Sequence, residues 1–110
     1  MSKPDQYPVF MTWYKTLSWI LDRVEGMPKH MRYSFSNRIA TLAMDVQARI
    51  ITAIYTRERR PVLQEVNLNL EHLRILFRMS YERRIISEKQ YGFISAQINE
   101  TGKMIGGWMS

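Results

Sequence analysis

Four stretches of 3.6-residue apolar periodicity, parted by short breaks, constrain this chain more than any other feature of its sequence. The breaks are Glu25-Gly26-Met27-Pro28, Arg57-Glu58-Arg59-Arg60-Pro61 and a weaker one at Ile86-Ser87. No stretch sustains the alternation of a strand. The spacing predicts helices over about residues 8–25, 34–55, 61–84 and 87–108. Their stripes are Phe10, Trp13, Leu17, Ile20 and Val24; Phe35, Ile39, Leu42, Val46, Ile50 and Ala53; Leu63, Val66, Leu70, Leu73, Phe77 and Tyr81; and Tyr91, Ile94, Ile98, Thr101, Ile105 and Trp108. Pro8 and Pro61 suit first helical turns, where a missing N–H costs nothing. Gly26 suits a helix exit. Ser34 or Ser36 would cap the second helix, and Ser87 with Gln90 reads as a capping box.

Four amphipathic helices of similar length on short connections predict an all-α fold, an up-down-up-down antiparallel four-helix bundle. The length of 110 residues fits one domain over 1–110. Antiparallel neighbours put the first and third loops at one end. The second loop and both termini lie at the other.

Two apolar features exceed what a simple bundle needs. Met44, Ile51 and Tyr55 on the second helix, and Leu68, Ile75 and Met79 on the third, lie away from the core stripes. Trp19 lies off the first stripe. These residues either widen the core arc or form a subunit interface, because a monomer rarely exposes a large contiguous apolar patch. The fourth helix carries small residues at Gly92, Ser95, Asn99, Gly102 and Gly106, on one face beside its core stripe. Glycine inside a helix costs up to about 1 kcal/mol relative to alanine. Gly92, Gly102 and Gly106 therefore predict a closely packed neighbouring helix; fraying at the C-terminus would account for Gly106 but not for Gly92.

Charge is the third feature. The chain carries 16 Lys and Arg against 10 Asp and Glu, net +6. Residues 27–60 hold seven basic and two acidic groups, while the two terminal quarters are neutral. The bundle geometry gathers this excess at its ends. One end has Lys29, His30, Arg32, Arg83, Arg84 and Lys89; the other has Arg57, Arg59 and Arg60. Arginine prevails, and its planar fork suits phosphates and carboxylates. An acidic partner, nucleic acid above all, is expected there, against the plainer alternative of solvated ends answering helix dipoles. On the third helix, Asn67, Glu71, Arg74, Arg78 and Glu82 predict surface ion pairs worth a few tenths of a kcal/mol each.

The chemistry of known bundle enzymes is missing. There is no cysteine, which excludes disulfides, thiolate metal sites and thiol nucleophiles. A di-iron bundle needs Glu-x-x-His on two helices. Met27 and Asn69 stand three residues before His30 and His72, the two histidines of the chain. HExxH, P-loop and GxSxG motifs are absent. No catalytic residue, metal or cofactor is expected. The polar N-terminus lacks a signal-peptide core, and Lys15 interrupts the longest apolar stretch, Val9 to Leu21. A cytoplasmic location with no membrane partner is the expectation.

The fourth helix contains Ile86-Ser87-Glu88-Lys89-Gln90-Tyr91 and then Ile98-Asn99-Glu100-Thr101-Gly102-Lys103-Met104-Ile105-Gly106-Gly107-Trp108. This ending resembles the small four-helix-bundle family containing Avd, the accessory variability determinant of diversity-generating retroelements. The same family includes proteins encoded within intervening sequences of 23S rRNA genes. Leu70-Glu71-His72-Leu73-Arg74 and the basic balance agree with it. The high pI and the arginine-rich second loop tilt the resemblance to the Avd branch. It implies a homopentameric barrel that binds the retroelement's reverse transcriptase together with RNA or cDNA and supports mutagenic cDNA synthesis without catalysis of its own. The alternatives are a ribosomal intervening-sequence protein and a structural oligomer with no direct nucleic-acid role.

Overall fold

The computed structural model describes residues 2–110, and among them there is helix and no strand. A 3-10 turn, Pro4–Gln6, leads into α1, Pro8–Glu25. A second 3-10 turn, Lys29–Met31, and one π-helical turn, Arg32–Ser36, lead into α2, Asn37–Ile54. Helix α3 spans Arg60–Glu82 and α4 spans Glu88–Met109. Each helix packs on its neighbours in a closed square, α1 on α2, α2 on α3, α3 on α4 and α4 on α1. The bundle measures 42 × 23 × 22 Å. None of its helices is long and apolar enough to cross a membrane.

The periodic stripes close on one another. Trp13, Ile20, Ile39, Val46, Ile50, Leu63, Leu70, Leu73, Phe77, Ile94, Ile98 and Ile105 are fully buried in one continuous core. The stripe ends, Val24, Phe35, Tyr81, Tyr91 and Trp108, are half-buried against it. An indole needs a hydrogen-bond acceptor when it is buried. The Trp13 Nε1–H donates to the Ala43 carbonyl at 2.9 Å, joining α1 to the middle of α2. Buried hydroxyls are satisfied inside their own helices. Thr16, Ser80 and Thr101 donate to the carbonyls four residues back, Thr12, Leu76 and Gln97, at 2.9, 2.8 and 2.9 Å. Such back-bonding lets a hydroxyl occupy a core position without an orphaned polar group.

Local sequence accounts for most helix limits. Pro8 and Pro61 sit in the first turns of α1 and α3. The Ser87–Gln90 capping box forms in both directions: the Gln90 N–H donates to Ser87 Oγ at 3.1 Å and the Ser87 N–H to Gln90 Oε1 at 2.9 Å. The start of α2 differs from expectation. Neither Ser34 nor Ser36 caps it; Ser34 Oγ donates backward to the Met31 carbonyl at 3.3 Å, and Ser36 lies 3.4 Å from the Met27 sulfur. Ser36 is itself in the α-helical region, and an N-cap needs an extended backbone there. The chain winds into α2 through wide turns instead.

Helix α3 stops at Glu82, two residues early, in a Schellman motif. The Arg84 N–H donates to the Tyr81 carbonyl at 2.9 Å and the Ile85 N–H to the Ser80 carbonyl at 2.8 Å. That motif needs a left-handed residue after the helix. Arg84 takes it, with φ 62°, and among the described residues no other non-glycine has positive φ.

The small-residue face of α4 corrects an expectation. A Cβ added at Gly92 or Gly106 would meet nothing within 4 Å, so no helix of this chain crosses closely there. Only Gly102 has a near neighbour of the expected kind: its Cβ would stand 3.3 Å from the Arg74 guanidinium and 4.0 Å from Leu70 on α3. The glycines do not interrupt α4, which continues to Met109. Gly92→Ala and Gly106→Ala should each stabilise the isolated bundle by about 0.5–1 kcal/mol through helix propensity. Urea titration of the monomeric form checks this; a loss of stability that appears only in an assembled form would place another copy against that face.

Candidate basic interface at the bundle ends

The basic side chains at the two ends differ in their contacts within the chain. At the end formed by the α2–α3 loop and the chain termini, two of the three expected arginines hold the fold. Arg60 donates to the Met109 carbonyl at 3.1 Å. The Arg59 guanidinium lies 5.0 Å above the Trp108 ring, and its Nε–H donates to the Thr56 carbonyl at 3.3 Å. Tyr7, just before α1, closes on Trp108, with centroids 5.5 Å apart. Cations suit the carbonyl end of a helix, whose dipole is negative there. Arg57 is exposed and has no such contact among the described residues. Lys3 sits 4.9 Å over the Tyr55 ring at this end.

At the opposite end the α1–α2 and α3–α4 loops meet. The Arg83 guanidinium lies 5.8 Å from the Phe35 ring and ties the two loops together. Lys29, His30, Arg32, Arg84 and Lys89 are exposed, and none of them forms an ion pair or side-chain hydrogen bond among the described residues. Asp22, Glu25, Glu82 and Glu88 share this end, equally unpaired. Charge balance alone therefore does not separate the two ends; the engagement of the side chains does. A concavity of about 370 Å³ opens beside the α1–α2 loop, with Met27 and Pro28 at its wall, Lys29 and Arg32 supplying positive charge and Glu25 one carboxylate. Arg84 extends from the left-handed position that glycine usually occupies.

Two basic residues missed from the sequence reading belong near this end. Arg38, in the first turn of α2, is exposed; Arg23, in the last turn of α1, lies 5.5 Å over the Trp19 ring. Tyr33 was missed as well. It falls between Arg32 and Ser34, off every helical stripe, and its position in a basic loop was the one available signal.

The apolar residues outside the core divide. Trp19 and Ile51 are half-buried against the core, with Trp19 on Phe93 at 5.0 Å. Met79 is half-buried. Met44, Tyr55, Leu68 and Ile75 are exposed, Leu68 to 59%. They do not form one patch. Arg49 marks the side of α2 that faces α3, where it bonds Glu65 at 2.9 Å. Met44 is rotated roughly 140° from it at 100° per residue. Leu68 and Ile75 lie opposite the core stripe of α3. Of the expected ion pairs on α3, Arg74–Glu71 forms at 3.0 Å, and Arg74 also donates to Asn99 Oδ1 on α4 at 3.2 Å. Both partners are substantially exposed, which keeps the pair's worth small.

Among the described residues no group of three or more His, Asp or Glu side chains is placed to hold a metal ion. A family model described as bAvd-like matches residues 10–110. The chain belongs to the bAvd-like family. No curated protein and no solved structure matches it. Membership agrees with the four-helix architecture and with the resemblance carried by the fourth helix.

The two ends of this bAvd-like bundle should respond oppositely to substitution. Arg84→Gly should keep or raise stability by up to about 1 kcal/mol, because glycine enters the left-handed region without the Cβ penalty. Arg60→Gln should lower stability by about 0.5–1.5 kcal/mol, the typical net worth of one hydrogen bond. Thermal melts of both variants check the pair.

Proposed function

We propose that this chain is the non-enzymatic accessory protein of a diversity-generating retroelement, binding that element's reverse transcriptase and its template RNA or cDNA through basic surfaces. Family membership over residues 10–110 carries the reading. The unengaged groups Lys29, His30, Arg32, Arg84 and Lys89 support a reading in which an acidic partner binds at that end. The polymerase would do the chemistry, in the cytoplasm, and this chain would hold and orient nucleic acid beside it. Each phosphate neutralised by an exposed Lys or Arg releases a counterion, so affinity would come largely from solvent entropy and fall steeply with salt.

A homopentamer completes the proposal. The exposed residues Met44, Tyr55, Leu68 and Ile75, on separate outer faces, supply apolar surface on more than one side, as a closed ring requires. The glycine face of α4, open at Gly92 and Gly106, is a further surface a second copy can approach. A ring would repeat the basic end in every protomer and multiply weak phosphate contacts through effective concentration.

The test has a genetic and a physical arm. The gene should lie beside a reverse transcriptase gene and paired repeats differing mainly at adenines; a position inside a 23S rRNA gene would replace the polymerase partner with the ribosomal reading. In vitro, RNA affinity should fall linearly on a log–log plot against salt. Lys29→Gln, Arg32→Gln and Arg84→Gln together should flatten the slope by about 2 to 3, one unit or slightly less per phosphate contact. Arg57→Gln should flatten it by no more than about 1. An unchanged slope in the triple variant would remove that end from the interface.

A further inference from the structure

Tyr33 is 90% exposed, against 61% for Tyr55, the next most exposed large apolar side chain. Its isolation is more telling than its exposure. Every other aromatic ring of the chain is buried or rests on a partner. Trp13 and Phe77 are in the core. Phe10 pairs with Tyr14, Trp19 with Phe93, Tyr81 with Tyr91, and Tyr7 with Trp108. Phe35 lies under Arg83 and Tyr55 under Lys3. Tyr33 alone has neither burial nor a ring or cation partner among the described residues. It stands in the π-helical turn, and such turns occur often at functional sites. Arg32 is its chain neighbour, and Lys29 and Arg32 line the concavity of about 370 Å³ beside the α1–α2 loop.

An unpartnered ring beside unengaged cations is the arrangement that captures single strands. The cations track the phosphates, and the ring offers a stacking face that any base can use. A duplex keeps its bases stacked inside and gives such a ring nothing to hold. We infer that Tyr33 is a stacking platform for an unpaired base of single-stranded nucleic acid, with Lys29 and Arg32 holding the flanking phosphates. This rests on the proposed nucleic-acid role of the basic end. It adds the form of the ligand, single-stranded rather than duplex, and the residue that reads that form.

The experiment is fluorescence anisotropy with the full chain and labelled 12-nucleotide probes: mixed-sequence RNA, the same sequence as DNA, an abasic DNA strand, and a duplex. Tyr33→Ala should weaken binding to the RNA and DNA single strands by about 5- to 100-fold. Binding of the abasic and duplex probes should not change, and neither should the salt slope. Tyr33→Trp and Tyr33→Phe should retain single-strand affinity within about threefold, since either ring restores the stacking face. Equal loss in Tyr33→Ala on RNA and DNA supports stacking, which any base offers, and a loss confined to one of them would overturn a platform that reads only the base face. Since Tyr33 contacts no core residue, thermal midpoints should stay at the wild-type value. Wild-type single-strand binding by Tyr33→Ala, with weakened binding by Arg32→Gln, would overturn stacking and leave the electrostatic interface standing. An equal loss on all probes, abasic and duplex included, would overturn it too, by showing that Tyr33 only shapes the loop. Failure of the wild-type protein to bind any probe would remove both this inference and the nucleic-acid reading beneath it.

Discussion

The buried indole of Trp13 sets the terms on which the bundle closes. Its ring needs apolar neighbours and its N–H needs an acceptor. It obtains the first from the central core and the second from the Ala43 carbonyl, in the middle of α2. That bond joins α1 to α2 near mid-length, while the core stripes of α3 and α4 close the other side. The remaining polar groups in the core obey the same rule by a local route, each hydroxyl turning back to its own helix. The hydroxyls of the core are therefore satisfied, while Gln47 Oε1 and Asn69 Nδ2, beside it, are buried without a hydrogen-bond partner among the described residues.

Residues of one type stand in different surroundings at the two ends. Arg59 and Arg60 spend their guanidinium groups on Trp108 and on the Met109 carbonyl, where a cation meets the negative end of α4. Arg84 makes no comparable contact and occupies a backbone conformation that costs a side-chain-bearing residue about 1–2 kcal/mol. The same end carries the isolated ring of Tyr33, so a backbone outlier and a ring without a partner both fall among unengaged cations.

The failures of sequence reading share a cause. At Ser34 and Ser36 the residue types suit a cap, but the chain direction out of the α1–α2 loop keeps Ser36 helical and leaves no extended residue to cap with. The glycine spacing of α4 suggested an adjacent helix, yet spacing reports only which residues share a face; which neighbour stands opposite depends on where α3 lies. Gly102 meets Arg74 and Leu70, whereas Gly92 and Gly106 face open space. Trp19 is half-covered by Phe93, a contact between two helices that periodicity along one helix does not contain.

From its sequence alone the chain determined its helices, the stripe each one buries, the capping box at Ser87 and the gathering of positive charge at the ends. These are local properties: a period of 3.6 residues, a serine three before a glutamine, a count of arginines between two breaks. The resemblance of its fourth helix to the Avd family was legible for the same reason, being a contiguous run of residues. Tertiary structure alone decided which cations are free. Whether Arg59 lies over Trp108 or stands free, and whether Tyr33 rests on another ring or on none, depends on groups tens of residues apart being brought within a few ångströms. Only the packed bundle supplies that proximity.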